Sequence, residues 1–170
     1  MIEGEKLRLR APVETDTATI AAMRNDQVLQ AAVLGTPHPN TMAMARDWMA
    51  ARLKDPHAVF FILADRADDA PLGYVMVADM HPLHGHGELG ICLAPAHQGR
   101  GHGREALTLL EGYCRGVFGL SKLTLRVRAD NGPAVALYRK AGYREVGVLR
   151  AHHYAEDAFH DVLIMEKALA

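Results

Sequence analysis

The sequence predicts an α/β fold, one mixed sheet covered by helices, in the order β-α-α-β-β-β-α-β-α-β-β. Three observations predict it. Stretches of period two alternate along the chain with stretches of period 3.6. Apolar runs in the middle are joined by short polar links, as antiparallel neighbours are. No repeat, low-complexity tract or linker interrupts the pattern, so residues 1–170 read as a single domain.

The elements follow in order. Leu7 to Arg10 alternates apolar and charged residues, as a half-buried strand does, and Pro12 breaks it. Asp16 is positioned to cap a helix with Ile20 and Met23 on one face. Residues 35–40 have loop chemistry. Asn40 or Thr41 then opens a helix with Met44, Trp48 and Ala51 on one stripe, closed before Pro56. Three strands follow: 58–64, 72–80 and 88–93. A helix spans about 103–118, with Ala106, Leu107, Leu110, Cys114, Val117 and Phe118 as its apolar stripe and Gly119 at its end. Residues 121–128 are a strand in which Leu123, Leu125 and Val127 alternate with Thr124, Arg126 and Arg128. Asn131-Gly132-Pro133 starts a helix that stops at Gly142. Residues 143–150 and 160–165 read as closing strands.

Composition narrows the function. With 19 basic and 20 acidic residues, no global basic field is available, so neither nucleic acid nor an anionic membrane is an expected partner. No uncharged apolar run is long enough to cross a bilayer, and residues 1–10 lack the apolar core of a signal peptide. Two cysteines make no disulfide framework and fit a reducing cytoplasm, the expected location. Ten histidines are the one surplus. His81, His84 and His86 lie close together, and His152 and His153 adjoin. Their spacing has no helical register and no carboxylate–histidine motif accompanies them, so no metal is expected.

The densest chemical signal is Ile91 to Arg104: a strand end, Pro95, then Gln98-Gly99-Arg100-Gly101-His102-Gly103-Arg104 leading into a helix. Glycine allows close approach of backbone to ligand, and the first N–H groups of a helix point outward at its positive end. Together they make a phosphate cradle, to which Arg100 and Arg104 add charge. The spacing fits neither the P-loop, which needs Gly-Lys-Ser/Thr, nor the dinucleotide fingerprint Gly-x-Gly-x-x-Gly.

These residues resemble the GCN5-related N-acetyltransferases (GNAT). Gln98 to Gly103 matches the family's Gln/Arg-x-x-Gly-x-Gly/Ala signature. Downstream, Asn131, Ala134, Leu137-Tyr138, Lys140 and Gly142-Tyr143 match its second motif. The segments Glu88-Leu89-Gly90-Ile91 and Gly147-Val148-Leu149-Arg150, with Tyr154 and His160-Asp161, resemble the branch of ribosomal-protein N-terminal and spermidine acetyltransferases. The resemblance implies a GNAT-like fold with a mixed, mostly antiparallel seven-stranded sheet and about four helices. It implies acetyl-CoA as co-substrate, held by Ile91, Cys92 and Leu93 through their backbone, by Gln98, Gly99, Arg100, Gly101, His102, Gly103 and Arg104, and by Asn131 and Tyr138. It also implies a possible homodimer.

The chemistry of acetyl transfer assigns further roles. The attacking amine must lose a proton, the thioester oxygen needs donors, and the departing sulfur benefits from an acid. Tyr138 is the expected acid. Glu88 is the first choice of base; His84 and His86, expected near the amine, and water are the alternatives. Some relatives carry a glutamate five residues before the motif asparagine, where this chain has Arg126. Cys92 reads as a buried strand cysteine rather than a nucleophile. The expected activity is transfer of an acetyl group to a primary amine: a protein N-terminus, polyamine, amino sugar or amino acid. A catalytically idle acyl-CoA-binding module is the alternative, and a nucleotide-binding protein a third class.

Overall fold

The computed structural model describes residues 1–169. Its strands are β1 (Ile2–Glu3), β2 (Leu7–Arg10), β3 (Val59–Asp65), β4 (Pro71–His81), β5 (His86–Leu93), β6 (Lys122–Arg128), β7 (Arg144–Ala155) and β8 (Ala158–Ala168). Its helices are α1 (Thr17–Asn25), α2 (Gln27–Ala32), α3 (Met42–Lys54), α4 (His102–Phe118) and α5 (Gly132–Lys140). The fold class is the expected one. The structure adds a short first strand, β1, and a short helix, α2, opened by Asp26, whose side chain accepts from the Leu29 amide.

The eight strands form one sheet in the order β1-β2-β3-β4-β5-β6-β8-β7. All neighbours are antiparallel except β5 and β6, which are parallel. Side chains alternate across the sheet and so build two cores. On one face Phe60, Ile62 and Ala64 of β3 pack with Ile20, Met23 and Met49 from α1 and α3. On the other, Leu63 joins Leu107 and Leu110 of α4, Val135 of α5, and Leu123, Leu125 and Met165.

Three local readings change. Asp16 does not cap α1 with its side chain. It is fully buried and takes both arms of Arg10, at 2.8 and 2.9 Å, and the Val13 amide at 2.7 Å. In α3 the buried residues are Ala45 and Met49, while Met44 is exposed; the stripe is rotated from the expected one, with Trp48 at its edge. In α4 the buried stripe ends at Cys114, and Val117 and Phe118 are exposed.

Candidate active site

The parallel junction explains the site. Register pairs between β5 and β6 stop at Glu88↔Thr124. Yet β5 continues to Leu93 and β6 to Arg128, the latter paired on its other side with β8. The two strands therefore diverge, and the β5 edge facing the wedge has no strand to satisfy it. Backbone polar groups seek a partner, and a ligand with amides of its own can supply one. The wedge opens into a cavity of about 1050 Å³.

At one end of the cavity stands the glycine-rich turn. Gly99 and Gly101 adopt left-handed backbone, φ 71° and 88°, where a Cβ is strained. Gly101 is the N-cap of α4, and the first intrahelical bond, from the Glu105 amide, returns to its carbonyl. The amides of His102, Gly103 and Arg104 therefore lack helical acceptors. Gln98 ties the turn down by donating to the Leu93 carbonyl at 3.0 Å. From the N-terminal segment, Lys6 donates to the Arg100 carbonyl at 3.2 Å. Arg104 and Lys140 line this end and bring positive charge.

Of the expected cofactor residues, Ile91, Cys92, Leu93, Gln98, Gly99, Gly101, Gly103, Arg104, Asn131 and Tyr138 all line the cavity. Arg100 and His102 do not. Arg100 is exposed, and the His102 ring is buried under the turn, Nδ1 lying 3.1 Å from the His97 carbonyl. Asn131 caps α5 by accepting from the Ala134 amide at 3.3 Å, and its amide nitrogen donates to the Ala32 carbonyl at 3.3 Å. Cys92 is a buried free thiol pushed up to about 12, chiefly by burial, so it is no thiolate nucleophile. Tyr138 is buried edge-on against Tyr143, and burial pushes its phenol up to about 12.

The other end holds Glu88, whose carboxylate receives the Arg126 fork at 3.0 and 2.9 Å. His84 and His86 are not there. His84 stacks on both His81 and His86 in the hairpin between β4 and β5, outside the cavity lining. The reason is topological: His86 lies where β5 is still paired to β6, and the wedge opens only beyond Glu88. The imidazoles that line the cavity are His152 and His153, from β7. Asp79, Arg126 and the apolar residues Leu29, Val33 and Leu34 line it too. Glu88, the expected base, and the departure at Arg126 are the sequence signals pointing to this end. Among the described residues no group of three His, Cys, Asp or Glu side chains is arranged to hold a metal, and no helix is long and apolar enough to cross a membrane.

The features fit acetyl-CoA: free helix-start amides and two cations for a diphosphate, an open strand edge for an amide-bearing arm, and a phenol beside the wedge. Gly101→Val is expected to raise the Kd for CoA about 5–30-fold, the size of a 1–2 kcal/mol left-handed penalty. Calorimetric titration checks this, and an unchanged Kd would detach the turn from the ligand.

Comparison with known proteins agrees. Residues 6–144 match the model of the acetyltransferase (GNAT) domain. A spermidine N(1)-acetyltransferase of Vibrio cholerae is 30% identical over 102 residues, 60% of this chain and 58% of that protein. The N-alpha-acetyltransferase RimI of Mycobacterium tuberculosis is 42% identical over 64 residues, 38% of each chain. The sequence matches thus span less than two thirds of either relative. A crystal structure of spermidine N-acetyltransferase from Vibrio cholerae, in complex with CoA and spermine, superposes with a TM-score of 0.89 at 25% identity, over 98% of this chain and 97% of that one. With a domain match over most of its length and the wedge, turn and phenol in place, the chain belongs to the GNAT acetyltransferase family.

Proposed function

We propose that the protein is an N-acetyltransferase that moves an acetyl group from acetyl-CoA directly to a primary amine in a ternary complex. The observation that carries this is the wedge beyond Glu88↔Thr124, with the glycine turn at one end and Tyr138 on its wall.

Bound acetyl-CoA supplies an acyl group activated as a thioester. The chain's residues do the rest. The open β5 edge and the α4 start orient the cofactor, and fixing both reactants side by side removes much of the barrier. Glu88 takes the amine proton, directly or through water. The Arg126 fork uses one site on each of its oxygens, and a carboxylate has about four such sites in all. As the C–N bond forms and the C–S bond breaks, Tyr138 gives its proton to the sulfur. A phenol shifted up to about 12 stays protonated through neutral pH, so the acid is always loaded.

The test is incubation with acetyl-CoA and a panel of primary amines, with thiol detection of released CoA. Release that depends on both substrates is expected. Tight acetyl-CoA binding without release on any amine would assign the idle module instead. Stabilisation by ATP but not by acetyl-CoA would assign a nucleotide-binding protein.

A further inference from the structure

The acceptor end of the cavity sets two carboxylates against one guanidinium. Glu88 and Asp79 are the carboxylates that line it, and Arg126 is the guanidinium. Arg126 spends Nε and one hydrogen of Nη2 on Glu88, and Nη1 has no hydrogen-bond partner among the described residues. Guanidinium has five N–H donors, so three remain. Arg126 is about half exposed, and its head is accessible to a ligand.

The surrounding charges decide what that ligand is. His153 on β7 is held toward its neutral form, chiefly by burial and then by Arg128 of β6 and His160 of β8. Glu88 and Asp79 set two carboxylates against the one guanidinium of Arg126, a net charge of only −1 among these three side chains. A polyamine would set its second ammonium against Arg126, and like charges at close range repel. An oxygen would be welcomed there. In an α-amino acyl group the nitrogen and the carbonyl oxygen are separated by two carbons. An amine at Glu88 therefore carries its oxygen to the neighbouring Arg126. Leu29, Val33 and Leu34 line the same cavity and give it apolar surface that can take a side chain.

We propose that the acceptor is an α-amino group with an adjacent carbonyl or carboxylate oxygen, and that Arg126 selects it by donating to that oxygen. The proposal rests on the N-acetyltransferase reading and narrows it to a peptide N-terminus or a free amino acid.

The experiment compares kcat/KM for alanyl-alanine amide, L-alanine, propylamine and spermidine, in the wild type and in Arg126→Leu. The peptide or the amino acid should exceed propylamine and spermidine by at least about tenfold, the worth of one charge-assisted hydrogen bond. The first two substrates separate a carbonyl source from a carboxylate source. In Arg126→Leu the ratio of the better of these to propylamine should fall about tenfold, with KM for acetyl-CoA unchanged as the control for folding. Arg126→Lys, which keeps the charge without the fork, should restore part of the ratio. Preference for spermidine or propylamine, or an equal loss on every acceptor in Arg126→Leu, overturns the proposal and leaves the transferase reading standing. No CoA release with any acceptor overturns both.

Discussion

Tyr138→Phe lowers kcat by about 10²–10³-fold and leaves the Kd for acetyl-CoA within about twofold of the wild type. Phenylalanine keeps the ring, and with it the edge-on contact to Tyr143 at 5.9 Å and the packing against Val135 in the core. Only the hydroxyl is lost, so a fall in turnover isolates the proton. The phenol, pushed up to about 12 by burial and by the nearby Cys92, does not titrate between pH 6 and 10. The wild-type rate should therefore show no alkaline fall from this group in that range, and the variant should keep the wild-type profile at a lower level. Steady-state kinetics beside calorimetric binding separates the two effects. A variant with normal kcat would show that Tyr138 packs α5 and does nothing more.

The second large effect is on stability. Asp16→Ala removes the partner of Arg10 at the start of α1, where Asp16 is fully buried and Arg10 nearly so. Breaking a buried pair from one side costs about 3–5 kcal/mol, because the remaining charge keeps its desolvation penalty. The Val13 amide also loses its acceptor. For a chain of this size the Tm should fall by about 10 °C. The Asp69 side chain, 3.0 Å from Arg10 Nε, tempers the loss. Replacing both residues, Arg10→Met with Asp16→Leu, should lose less than Asp16→Ala alone, since an apolar pair leaves no buried charge. Thermal unfolding of the three proteins decides it; a shift under about 2 °C for Asp16→Ala would deny the pair its structural role.

How much of this was legible depends on whether the signal is local. The alternation of Leu123, Leu125 and Val127 located β6 to within a residue, and Gly119 and Gly142 marked where α4 and α5 stop. The cofactor end was legible because its residues are consecutive: 98–104 in one turn, 131–138 in one helix. Elsewhere the physics was not local. Helix α2 has six residues, too few to show a periodic stripe. The β7–β8 hairpin extends several residues beyond its expected ends. There Tyr154 and Phe159 pack on each other in solvent, and the register shifts between Leu149 and His153, so alternation carries no inside–outside information. The acceptor end is built from β4, β5 and β6, and only the strand order brings Asp79, Glu88 and Arg126 together. Without that order, nearness in sequence to Glu88 set His84 and His86 beside the amine.

The short parallel junction also bears on how the chain folds. From β1 to β5 every strand hydrogen-bonds to the next in sequence, although the β2–β3 pairing closes over residues 11–58, which hold α1, α2 and α3. β6, β8 and β7 pair among themselves, through β6–β8 and the β7–β8 hairpin. Joining the halves has to wait for the whole of α4 to span from β5 to β6, and it gains only three register pairs when it succeeds. Such a non-local closure is the slow kind, since its chain entropy is lost before much contact is gained. The ligand-binding wedge exists only where the two halves meet, so a half-assembled molecule has no place for acetyl-CoA to bind.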